Sequence, residues 1–122
     1  MSKITTHILD TAKGRPAEGV AVRLYRAGGK ARAVDPSSET EIAGGHTNKD
    51  GRIADWPDAG ADAGAKGAGI YKIRFETGAY FGGQGLTSLY PFVDIYFEVT
   101  EEGHYHIPLL ISPFGYSTYR GS

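Results

Sequence analysis

The sequence predicts an all-β protein, a two-sheet antiparallel sandwich with at most one short helix. Three segments carry that prediction. Val20-Ala21-Val22-Arg23-Leu24-Tyr25-Arg26 sets valine, valine and leucine on one face and Arg23 on the other. Tyr71 to Glu76 places Tyr71, Ile73 and Phe75 inward and charges outward, and Val93 to Val99 repeats the alternation. Period-two patterning marks a strand with one buried face. Three examples favour a sandwich over a barrel of isolated hairpins, although periodicity alone does not separate the two.

The remaining elements follow in chain order. Ile4, Thr6 and Ile8 form one face of a first strand, with Thr5, His7 and Leu9 on the other. Lys13-Gly14-Arg15-Pro16 is a turn, and Lys49-Asp50-Gly51 is a strong hairpin signal. Asp58 to Gly69 is an alanine- and glycine-rich stretch. Each glycine costs about 1 kcal/mol in a helix, so a surface connection with at most one helical turn is expected there. Glu101-Glu102-Gly103 turns the chain into His104-Tyr105-His106-Ile107-Pro108-Leu109-Leu110-Ile111. The ending stays rich in tyrosine and β-formers, so a last strand is expected where chain ends ordinarily fray.

Size and charge narrow the function. A chain of 122 residues suits one domain, residues 1–122, with a core large enough to need no staples. The absence of cysteine removes disulfides, thiol catalysis and thiolate metal sites. A net charge of −1 without a basic block argues against nucleic acid. No apolar run approaches the roughly 20 residues that span a bilayer. The N-terminus lacks a secretory h-region and the C-terminus is not a peroxisomal address, so a cytoplasmic location is expected.

Several polar residues exceed what a plain sandwich needs. If Tyr105, Ile107, Leu109 and Ile111 face the core, His104 and His106 share the opposite face, as His7 does on the first strand. A histidine there is ordinarily solvated or at an interface. The His-x-His pair has the spacing of a strand-borne chelate, but no carboxylate or thiolate partner stands at a recognisable spacing, and no metal site is predicted. Arg52 follows the Asp50-Gly51 turn as a forked cation suited to an anionic oxygen or a flat amide edge. An ordered ending would hold Arg120, Ser122 and a free carboxylate in place, or would simply complete a sheet.

These residues carry a family resemblance. Tyr119-Arg120-Gly121-Ser122 resembles the terminal tetrapeptide of the 5-hydroxyisourate hydrolases, transthyretin-like enzymes of purine catabolism. His104 to Leu110 and Ser112 to Thr118 resemble the block leading into that ending. Thr6-His7-Ile8-Leu9-Asp10, Gly14-Arg15-Pro16-Ala17, Thr47 to Arg52, Thr77 to Phe81 and Tyr90-Pro91-Phe92 complete the match over nearly the whole chain. Asp58 to Gly69 departs from it, since a more conventional helix-forming segment is expected there.

The resemblance implies a transthyretin-like sandwich of about eight strands. It also implies a homotetramer with sites in the clefts between dimers. It nominates His7, Arg52 and His106 as catalytic, and Tyr119, Arg120, Gly121 and Ser122 as substrate-binding. The implied reaction opens the ring of 5-hydroxyisourate to 2-oxo-4-hydroxy-4-carboxy-5-ureidoimidazoline without a cofactor. Two roles stay open: which histidine is the base, and whether Arg120 meets substrate or anchors the tail. The alternative is a non-catalytic small-ligand carrier on the same fold, which would want an open apolar channel rather than histidines and arginine. A purely structural sandwich leaves the histidine, arginine and tail combination unexplained.

Overall fold

The computed structural model of the protein describes residues 3–30, 33–53, 56 and 67–122. Its strands are β1 (Lys3–Asp10), β2 (Arg15–Pro16), β3 (Ala21–Lys30), β4 (Ala33–His46), β5 (Arg52–Ile53), β6 (Gly69–Phe75), β7 (Val93–Val99), β8 (His104–Ser112) and β9 (Gly115–Thr118), with one helix, α1 (Thr77–Gly82). One sheet runs β2-β1-β8-β9, with β5 also paired to β1, and the other runs β4-β3-β6-β7.

The inward positions read from the alternation form the core between the sheets. Ile4, Ile8, Val22, Leu24, Ile73, Phe75, Val93, Leu109 and Ile111 are each no more than 2% exposed. Burying such side chains contributes about 1.5–3 kcal/mol apiece. Two polar groups inside find backbone partners across the chain. Thr6 Oγ1 donates to the Ile107 carbonyl at 2.6 Å, and Trp56 Nε1 donates to the Ile4 carbonyl at 2.9 Å.

Four features depart from the sequence expectation. The sandwich is not wholly antiparallel: β1 and β8 run parallel, from Lys3 opposite His104 to Asp10 opposite Ile111. Period-two patterning is the same in either direction, so the sequence carries no sign of this. The strand β4 was not expected, because Val34 to Glu41 is polar and contains Pro36. It is an edge strand, where proline is tolerated, and much of it is exposed. Lys72, expected to face solvent, is 4% exposed. It lies under the rings of Tyr25 and Tyr96 and is paired to Glu39 at 2.7 Å, a partner supplied by β4.

The fourth departure is the helix. It forms at Thr77–Gly82, whereas the alanine-rich stretch lies outside the described residues except for Gly67 to Gly69. Tertiary contacts hold α1 despite its glycines: Phe81 is buried, and Tyr80 donates to Asp10 Oδ2 at 2.8 Å. Asp10 Oδ1 meanwhile accepts from the backbone N–H groups of Ala12 and Lys13. One buried carboxylate therefore ties the helix to the end of β1 and shapes the turn that follows.

The turn at Lys49-Asp50-Gly51 is real, but it does not close a hairpin within one sheet. It carries the chain from β4 in one sheet to β5 in the other. Asn48 Oδ1 accepts from the N–H groups of Asp50 and Arg52, and Gly51 N–H donates to the Asn48 carbonyl at 2.8 Å. Gly51 has φ 75°, and a Cβ there would strike the Ile8 carbonyl oxygen, which accepts no side chain this close because β5 is pressed against β1. Gly51→Ala should destabilise the fold by about 2 kcal/mol or more in a denaturant titration; an unchanged midpoint would show that the turn relaxes freely.

Candidate active site

The outward face of the β5-β1-β8 strands gathers side chains from three separated parts of the chain. Parallel pairing sets Thr5 opposite His106 and His7 opposite Pro108. Antiparallel pairing of β5 then sets Arg52 directly opposite His7. Directly opposed residues share a face, so His7, Arg52 and His106 meet on the side of the sheet away from the core. His46 is exposed on β4 in the other sheet.

A hydrogen bond holds the His106 ring. Thr5 Oγ1 lies 2.7 Å from His106 Nδ1 and 2.6 Å from His104 Nε2, so one hydroxyl bridges two imidazoles. Thr5 is 7% exposed and His106 is partly buried, whereas His104 is exposed. His7 is hydrogen-bonded to the backbone of Asp50.

Electrostatics keep these two histidines neutral. Burial lowers the His7 pKa below its ordinary 6.5 and the Arg52 charge lowers it further, against the opposing hydrogen bond and charge of Asp50. Burial likewise lowers the His106 pKa, followed by the charges of Arg52, His104 and His7. A cation beside an imidazole disfavours a second positive charge. Near neutral pH both rings therefore present a nitrogen lone pair. Among the described residues the Arg52 guanidinium makes no ion pair, which leaves its fork available to an anionic or carbonyl oxygen.

The tail closes against this face. Gly121 N–H donates to the His106 carbonyl at 2.8 Å, an antiparallel bridge beyond the end of β9. In the interval Thr118 Oγ1 donates to the Pro108 carbonyl at 2.7 Å. A Cβ on Gly121 would collide with His106 Cδ2 and come within 3.1 Å of Pro108 Cγ. The bare glycine lets the tail backbone lie on the imidazole. Tyr119 is 58% exposed, and Ser122 lies exposed just past the bridge.

Arg120 points elsewhere. Its guanidinium sits 4.6 Å from the centroid of Tyr105, a core-side residue of β8. That contact ties the tail to β8. Thr5 is the residue that sequence reasoning missed. The alternation had put it on the histidine face, but a small hydroxyl carried no signal of its own.

Among the described residues no group of three or more histidine, aspartate or glutamate side chains is placed to hold a metal ion. A separate groove lined by Lys13, Arg15, Lys49 and Tyr80 includes none of the three nominated residues.

Comparison with known proteins gives a concordant set of relatives. Residues 4–121 match the HIUase/Transthyretin family. The 5-hydroxyisourate hydrolase of Mesorhizobium japonicum is 48% identical over 125 residues, covering 98% of this chain and 92% of that protein. The solved structure of Klebsiella pneumoniae 5-hydroxyisourate hydrolase superposes with a TM-score of 0.80 at 42% identity, covering 100% of both chains. Sea bream transthyretin in complex with thyroxine superposes at 0.78 with 32% identity, covering 97% of this chain and 93% of that one.

The geometry makes two predictions. An NMR titration should give His7 and His106 midpoints below 6.5, and a midpoint at or above that value for either would contradict the electrostatic account. In a crystal structure of Gly121→Ala, either the His106 ring turns or the tail lifts from β8; an undisturbed ring and bridge would remove the constraint assigned to this glycine.

Proposed function

The chain belongs to the HIUase/Transthyretin family, and from that premise we propose that it is a hydrolase of 5-hydroxyisourate acting through His7, Arg52 and His106. The observation that carries the reading is that strand pairing sets two imidazoles and an arginine, which makes no ion pair among the described residues, on one outward face. That is equipment for hydrolysing a cyclic amide. Water needs a base near neutral pH, and an imidazole is suited to serve. As water adds to the ring carbonyl, one imidazole takes its proton and the Arg52 guanidinium stabilises the oxygen that gains charge. The ring C–N bond then breaks, and an imidazole N–H returns a proton to the departing nitrogen. The products carry one added water, and the scheme uses no metal or cofactor.

Tyr119 and Ser122 are assigned to substrate, Gly121 to the fit of the tail on His106, and Arg120 to holding that tail. We further propose a cytoplasmic homotetramer whose sites lie between dimers. Large exposed side chains near the β9 edge, Phe114, Tyr116 and Tyr119, support self-association. The higher identity to hydrolases than to the thyroxine-bound transthyretin favours catalysis over ligand carriage.

The test is direct. With 5-hydroxyisourate generated in the cuvette by urate oxidase, the protein should accelerate ultraviolet decay equally with and without chelator; no acceleration by the folded protein would overturn the assignment. His106→Ala should lower kcat by about 10²- to 10⁴-fold with the fold intact, and near-normal turnover would remove His106 from the chemistry. Because the reactive histidines must be neutral, the acidic limb of kcat/KM should fall below pH 6.5.

A further inference from the structure

The two histidines differ in the partner behind the ring. His7 has the backbone of Asp50 beside it, which opposes the lowering of its pKa by burial and Arg52. His106 Nδ1 instead meets a hydroxyl, which both donates and accepts, and behind that hydroxyl stands a second imidazole.

We propose that Thr5 and His104 are positioning residues that form a proton relay with His106 and make it the histidine that alternates between base and acid. This inference rests on the hydrolase reading and deepens it. Thr5 has one hydroxyl proton and two close imidazole contacts, so it donates to one ring and accepts from the other. Two arrangements follow. In the first, His106 Nδ1–H donates to Thr5 Oγ1, Thr5 donates to His104 Nε2, and His106 Nε2 is a bare base. In the second, every proton has moved one place, and His106 Nε2 carries hydrogen. Each hydrogen-bonded tautomer of one ring dictates that of the other.

The relay balances over a full cycle. As water oxygen bonds to the ring carbonyl carbon, its proton passes to His106 Nε2, the Nδ1 proton passes to Thr5 Oγ1, and the Thr5 proton passes to His104 Nε2. His106 ends neutral and armed with Nε2–H, and the positive charge rests on His104. When the C–N bond breaks, Nε2–H goes to the departing nitrogen and the two relay protons run back. The direction makes electrostatic sense. Arg52 on β5 and His7 on β1 face His106 and disfavour charge on it, whereas His104 is exposed to water. Lys3 pairs with His104 on β1, Glu101 and Glu102 lie in the turn before it, and the tail contributes Gly121 over the His106 ring while Arg120 is turned to Tyr105.

Three variants and two readouts test this. Thr5→Val keeps the side-chain shape without the hydroxyl, Thr5→Ser keeps the hydroxyl, and His104→Gln keeps a hydrogen bond but cannot accept a proton. Thr5→Val and His104→Gln should each lower kcat about 10- to 100-fold with KM changed less than about twofold, and Thr5→Ser should recover most of the loss. The double variant should be no worse than the poorer single one, since both break one relay. Imidazole nitrogen NMR of the intact protein should show His104 and His106 titrating as a coupled pair, uncoupled in Thr5→Val. Full kcat in His104→Gln, where an exposed residue poses no folding problem, would overturn the relay while an inactive His106→Ala left the hydrolase reading standing. If the wild type itself failed to turn over substrate, that reading would fall; the NMR coupling would then decide the relay, with independent titrations overturning it.

Discussion

The parallel pairing of β1 with β8 is the constraint on which the site depends. It joins two strands that lie almost a whole chain apart, and its register sets Thr5 beside His106 and His7 beside Pro108. A slip of β1 by one residue would turn Thr5 and His7 into the core and bring Ile4, Thr6 and Ile8 out to solvent. Core burial thus enforces the register of the outward face: the energy that hides Ile4, Ile8, Leu109 and Ile111 also fixes where the imidazoles stand. The turn at Asn48 to Gly51 adds the third component by delivering Arg52 across from one sheet to the other.

Placement on the outward face separates stability from chemistry. The core uses one side of the sheet, while the other side can hold a cation and two partly desolvated imidazoles without disturbing it. The surroundings of the rings set their behaviour. Partial burial and Arg52 keep His7 and His106 unprotonated, and the differing partners, a backbone group for one and the Thr5 hydroxyl for the other, set what each can do with a proton. Bare backbone at Gly121 lets the tail cover His106, and Arg120 on Tyr105 holds it from the other side of the strand.

Much of this was legible in the residues themselves. Alternation identified β1, β3, β6, β7 and β8 and put His7, His104 and His106 on outward faces, and the terminal block carried the family resemblance. What was hidden depended on partners. The polar run Val34 to Glu41 is a strand because β3 pairs along it and Lys72 takes a carboxylate from it, which local pattern does not express. The helix at Thr77–Gly82 contains glycines that oppose it and is held by Phe81 and by Tyr80 on Asp10. Strand direction leaves no trace in a period of two, so the pairing that brings Thr5 to the histidines could not be read before the topology was known.

The most direct test of this account is a crystal structure of the protein soaked with a stable purine such as urate. The account predicts the ring on the outward face of the β5-β1-β8 strands, with a polar edge toward Arg52 and an atom within hydrogen-bond reach of His106 Nε2. A purine ordered instead in the groove of Lys13, Arg15, Lys49 and Tyr80, with the histidine face empty, would contradict it.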